Sequence, residues 1–132
     1  MGFADELRNK TKTKDVIEYE RVLSHKEKII HSFKEYCEGT ASYGNREACI
    51  EYGEGSEYSA WDFAISAYTH INLDEALEHV RSEIEKELRR ENFLGVSVTV
   101  KTHYRNEKKR GFFGDKWVQV ESAKTILVKA RW

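Results

Sequence analysis

Gly95-Val-Ser-Val-Thr-Val-Lys-Thr-His-Tyr104 sets apolar against polar residues at alternate positions, and Arg110-Gly-Phe-Phe-Gly-Asp-Lys-Trp117 leads into a second alternating run. A period of two belongs to a strand with one buried face, so the two runs predict an antiparallel pair. Val118 and Val120 alternate in the returning run, as do Ile126 and Val128, and Ser122-Ala123 marks a bend between them. The connection between the runs joins aromatic rings to a cluster of cations, a combination that suits binding.

Upstream of this pair the period lengthens. From Asp15 to about Glu38, Val16, Tyr19, Val22, Leu23, Ile29, Ile30, Phe33, Tyr36 and Cys37 recur at steps of three and four, which predicts one long amphipathic helix with Gly39 as its stop. A second helix is predicted from the cap residues Asn72 and Glu75 and the stripe Leu73, Ala76, Leu77, Val80, Ile84 and Leu88, ending at about Asn92. Between the helices, Glu47–Tyr52 and Glu57–Ile65 read as the two strands of a hairpin turning at 53–56, with Trp61, Phe63 and Ile65 on one face. Residues 2–9 make two helical turns carrying Phe3 and Leu7, so 1–13 form an N-terminal arm or short helix. Two α-β-β units in tandem imply an α+β fold: an antiparallel sheet with the helices on one face, in a single domain over 1–132.

At 132 residues, with 39% hydrophobic and 34% charged, the chain is long enough to bury a core without disulfides or metal. No apolar run approaches the length of a membrane span, and the N-terminus lacks a signal peptide's apolar stretch, so a cytoplasmic location is expected. Cys37 and Cys49 are then reduced thiols, and two cysteines 12 apart do not make a zinc site. Proline is absent, so turns rest on Gly and Asn. Residues 1–100 carry 13 Lys and Arg against 20 Asp and Glu, a net −7, whereas 101–132 carry 9 against 3, a net +6. Strand-edge solubility accounts for such a division. So does an anionic ligand on the C-terminal side, or self-association that sets the acidic surface of one copy against the basic surface of the next.

Histidines at 25, 31, 70, 79 and 103 form no His-Glu-x-x-His unit, and the chain has no Cys-x-x-Cys, Gly-x-Ser-x-Gly or phosphate-loop motif. The expectation is a protein without enzymatic activity, metal or cofactor. Asp62, between Trp61 and Phe63, is the one carboxylate set to project from a strand onto the open sheet face. An exposed strand acid is the plainer account of it, and a small hydrolase the third functional reading.

The stronger constellation is Arg105, Lys108, Lys109, Arg110, Phe112, Phe113, Lys116 and Trp117. A nucleotide needs cations for its phosphates and flat side chains for its base, and this stretch supplies both. Arg105, Lys109, Arg110 and Lys116 are the expected phosphate partners, and Phe112, Phe113 or Trp117 the stacking surface. Tyr58, Trp61 and Tyr43 form a candidate second aromatic wall. The competing account folds Phe112 and Phe113 back onto the core and leaves the cations to keep a hairpin soluble. Extended nucleic acid is disfavoured, because the acidic remainder would repel a long phosphate backbone. The alternative partner is a host protein, reached through acids Glu47, Glu51, Glu54 and Glu57 that imitate nucleic acid.

The opening Met-Gly-Phe-Ala-Asp-Glu-Leu-Arg8, with Gly-Phe-Phe-Gly-Asp-Lys116 and the closing Val-Lys-Ala-Arg-Trp132, resembles a group of small uncharacterised proteins of phages and mobile elements of Gram-positive bacteria. The resemblance covers the termini, about 25 residues together, and implies a setting only. Small phage accessory proteins often counter host defence, by sequestering a nucleotide immune signal or by blocking an effector such as a CRISPR protein. In that setting the expected function of the basic and aromatic stretch is a sponge for a cyclic nucleotide or ADP-ribose derivative, and the alternative is an inhibitor of a host protein.

Overall fold

The computed structural model describes residues 2–54 and 62–132. The N-terminal segment forms helix α1, Phe3–Lys10, which contributes no buried residue. The long helix expected next is two: α2, Lys14–Leu23, and α3, His25–Ala41, divided at Ser24. The Ser24 hydroxyl donates to the Arg21 carbonyl at 2.7 Å, a back-bond that competes with the helical ladder. The division falls where the apolar stripe skips from Val22 to Ile29, so the two halves turn their buried faces separately. Gly39 does not stop α3. The chain leaves the helix through Gly44, whose φ of 86° lies in the region that favours glycine.

Strand β1, Glu47–Tyr52, and the two-residue strand β2, Phe63–Ala64, do not form the expected hairpin with each other. Both pair antiparallel with the last strand along the same edge, β1 at residues 131–126 and β2 at 124–123. They share one edge of β4, and residues 55–61 between them lie outside the described part. At the end of the expected returning strand, 57–65, the chain enters a 3-10 turn, Ile65–Ala67. Beyond β1, the Glu54 carboxylate meets the Arg21 guanidinium and accepts from the Tyr68 hydroxyl.

Helix α4, Leu73–Arg90, starts as its sequence predicts, with the Asn72 side chain accepting from the Glu75 N–H at 3.3 Å. It ends in a Schellman motif: Asn92 takes φ 67°, and the Phe93 N–H reaches the Leu88 carbonyl at 3.1 Å. That turn feeds strand β3, Leu94–Gly111, which pairs antiparallel with β4, Gly114–Arg131, over almost its full length. β4 is therefore the middle strand, with β3 on one edge and β1 and β2 on the other. This is an antiparallel α+β architecture. Val98, Ile126, Val128, Ala130, Ala48 and Phe63 turn to the helices and join Val22, Ile30, Phe33, Leu77, Val80 and Ile84 in one core. Lys124 is buried at the rim of that layer, and its ammonium donates to the Thr102 hydroxyl at 2.6 Å and meets Asp74 at 3.2 Å. Among the described residues, no helix is long and apolar enough to cross a membrane.

Candidate nucleic-acid interface

Beyond residue 103 the two long strands leave the body. The stretch from Tyr104 to Glu121 has no buried residue, yet its ladder continues pair by pair to Gly111 and Gly114. The expected loop of 105–117 is therefore strand, closed by the turn residues Phe112 and Phe113. The alternation rule gives no strand signal here because a ribbon with water on both faces needs no apolar row. Eight residue-to-residue steps from Tyr104 to Phe112, at about 3.3 Å each, give an arm of about 26 Å. Phe112 and Phe113 keep negative φ while Gly114 takes φ 118°, a value that any side chain would strain. A Cβ on Gly111 would stand 2.8 Å from the Gly114 carbonyl oxygen, so both glycines are required for the tight closure.

A bulge at the arm's root sets its faces. His103 pairs with Ala123 and Tyr104 with Glu121, leaving Ser122 as the extra residue, whose hydroxyl donates to the His103 carbonyl at 3.1 Å. The shift reverses the parity of β4. Val118 and Val120, which bare alternation would place beside Ile126 and Val128, instead share a face with Arg105, Lys109 and Lys116. The other face carries Tyr104, Lys108, Arg110 and Trp117. The expected ligand residues are thus divided three ways: Arg105, Lys109 and Lys116 on one face, Arg110 and Trp117 on the other, Phe112 and Phe113 at the tip.

The tip does not fold back. Phe112 is 97% and Phe113 96% exposed, their rings meeting edge to face with centroids 5.1 Å apart. Around them, Lys108 meets Asp115 at 3.2 Å, and Arg105, Lys109, Arg110 and Lys116 make no ion pair among the described residues. Of the second aromatic wall, Tyr43 is exposed on the body, and Tyr58 and Trp61 lie outside the described residues.

A second arrangement lies at the root of the arm, on the face opposite the helices. Glu51 from β1, Thr125 from β4 and His103 from β3 form a diagonal row across three strands. The His103 Nε2 is 2.7 Å from the Glu51 Oε1 and 2.9 Å from the Thr125 Oγ1, and the Thr125 hydroxyl donates to the same carboxylate oxygen. The Thr125 hydroxyl foremost, then His103 and the charge of Lys101, hold the Glu51 carboxyl below its ordinary range. A depressed carboxyl contributes stability above its unfolded value and loses it as pH falls through the folded one. Below pH 4.5 the melting temperature of the wild type is therefore expected to fall more steeply than that of Glu51→Gln, measured by circular dichroism. Parallel slopes would show that Glu51 is not held in this way.

The row borders a cavity of about 660 Å³ where β1 breaks off, with Tyr36, Tyr52 and Asp62 in its wall. Asp62 thus faces this cavity, in company with Glu51 and His103. Sequence reasoning missed the row because Glu51 and His103 are 52 residues apart and meet only through β4. Of the acids expected to imitate nucleic acid, Glu47 and Glu51 are exposed on β1, Glu51 engaged with Thr125 and His103, the Glu54 side chain is 15% exposed beside Arg21, and Glu57 lies outside the described residues.

No family model, curated protein or solved structure matches the chain. The reading of the arm therefore rests on its own geometry. The face-by-face division separates Arg105 from Arg110 by about 16 Å along the strand as well as by the thickness of the ribbon. A mononucleotide cannot reach both.

Proposed function

We propose that this is a non-enzymatic binding protein whose β-ribbon arm engages nucleic acid, the cations of its two faces pairing with phosphates and Phe112 and Phe113 entering between bases. The observation that carries this is the near-complete exposure of two adjacent Phe side chains at the end of a ribbon in which Arg105, Lys108, Lys109, Arg110 and Lys116 outnumber Glu107, Asp115 and Glu121. Apolar wedges at the end of a basic element are the usual means of unstacking bases, and aromatic rings accept any base face. The acidic body, which argued against a long phosphate backbone, loses force at this distance. An arm of about 26 Å exceeds the roughly 8 Å screening length at physiological salt by about threefold, so the tip is largely shielded from the body's charge.

The experiment is fluorescence anisotropy with labelled single-stranded and duplex 24-mers between 50 and 200 mM salt. The Lys109→Ala, Lys116→Ala double variant is expected to weaken binding and to lower the salt slope by about 2, one for each phosphate contact. Phe112→Ala with Phe113→Ala is expected to cost about ten- to hundredfold in affinity with the slope unchanged, as loss of stacking does. No binding, or both double variants binding as wild type, would overturn the proposal. A thermal shift with cyclic dinucleotides or ADP-ribose in place of the 24-mers would favour sequestration of a nucleotide signal through the same tip.

A further inference from the structure

The break in the edge strand leaves a hollow whose chemistry differs from the arm's. We infer that the cavity beside Tyr36, Tyr52, Glu51 and Asp62 is a binding site for a small organic cation, an amine or guanidinium with an apolar stem. The inference is independent of the arm's partner.

Three observations carry it. The first is the cavity itself, about 660 Å³ between the end of β1 and the start of β2, a size that suits small-molecule sites. The second is the composition of its wall. Carboxylates come from Glu51 and Asp62, one held in the ionised form by the Thr125 hydroxyl, and phenol rings come from Tyr36 and Tyr52. Acidic oxygens with aromatic faces are the pairing that recognises organic cations, through charge-assisted hydrogen bonds and the negative face of the ring. Lys101 on the neighbouring strand supplies one positive charge near Glu51, which leaves the two carboxylates in excess.

The third is the Tyr52 hydroxyl. It is buried and has no hydrogen-bond partner among the described residues, although its side chain lines the cavity. A buried hydroxyl left without a partner is uncommon in a folded protein, and the described residues supply none here. The His103 Nε2 is committed to Glu51 and Thr125, so with that nitrogen carrying its hydrogen the Nδ1 remains as an acceptor for an N–H donor. The Glu51 and Asp62 carboxylates, the Tyr36 and Tyr52 hydroxyls and the His103 Nδ1 thus accept, or can accept, a hydrogen bond, as a donor-rich cation requires.

Calorimetric titration with tyramine, agmatine and spermidine at pH 7.5 tests the site. At least one of the three is expected to bind with a dissociation constant below about 1 mM, and Glu51→Gln and Asp62→Asn are each expected to weaken it about tenfold. Tyr52→Phe removes a hydroxyl that bonds to no described residue. It is expected to fold like the wild type and to weaken binding, and it decides the matter if either carboxylate variant fails to fold. The Lys109→Ala, Lys116→Ala variant should bind the cation unchanged, which separates this site from the arm. The inference is overturned if none of the three compounds binds, or if the binding survives intact in the folded variants of the cavity.

Discussion

Replacing residues 105–120 with Asn-Gly is expected to leave a folded body whose melting temperature moves by only a few degrees, while nucleic-acid affinity falls at least about a hundredfold. No core residue lies between Val100 and Ala123, so the excision takes away ladder hydrogen bonds and exposed or half-exposed side chains but no part of the apolar interior. A two-stranded ribbon on its own is marginal in water, and its ordering is sustained from the sheet below rather than the reverse. Asn-Gly suits the two-residue turn that would then close directly on the Tyr104–Glu121 pair. Circular dichroism melting and anisotropy on the same preparation give both readings. A collapse in melting temperature would mean that the ribbon is bound to the core, and undiminished affinity would move the interface to the body.

The second large effect is expected at Phe33. Its side chain is wholly buried on α3, with its ring centroid 5.8 Å from that of Phe93, which in turn meets Trp132 edge to face at 6.4 Å. The ring therefore joins the helical layer to the chain entering β3 and to the end of β4. Phe33→Ala is expected to cost about 3–5 kcal/mol, the range for truncating a buried aromatic ring with incomplete collapse of the cavity. Domains of this size have about 5–15 kcal/mol in total, so the variant should melt about 10–20 °C lower and unfold at much lower urea. A loss under about 1 kcal/mol would mean that Phe33 is not part of the core as described.

The helices and the long strand pair were legible because each carries a signal within a few residues. Asn72, Glu75 and the stripe to Leu88 fix α4 locally, and Val96, Val98 and Val100 fix the body half of β3. What was not legible depends on pairing between distant residues. Glu47–Tyr52 and Phe63–Ala64 look like a hairpin because they are neighbours in sequence, yet each finds its partner in β4, and no local pattern announces that they share an edge. The arm was misread for another reason. Its basic and aromatic residues were visible, but the pattern that marks a strand is the mark of burial, and Arg105–Gly111 buries nothing. The division of its ligand residues between two faces follows from one bulge residue, Ser122, which no count of alternation supplies. Gly39 shows the same limit from the side of the helices: a glycine is a stop only where the backbone needs positive φ, and here that position is Gly44.

The central place of β4 also governs how the chain reaches this structure. Each of the other described strands pairs with β4, and none of those pairings can form until residues 114–131 have left the ribosome. The span from Glu47 to Arg131 is a closure across most of the chain, and non-local closures of this kind slow folding. α2, α3 and α4 are complete long before then, with the apolar faces of Val22, Phe33 and Leu77 awaiting a sheet. During synthesis these helices form a partial layer with an open side, and the arrival of one strand gives the earlier strands their partner and covers that layer in the same event.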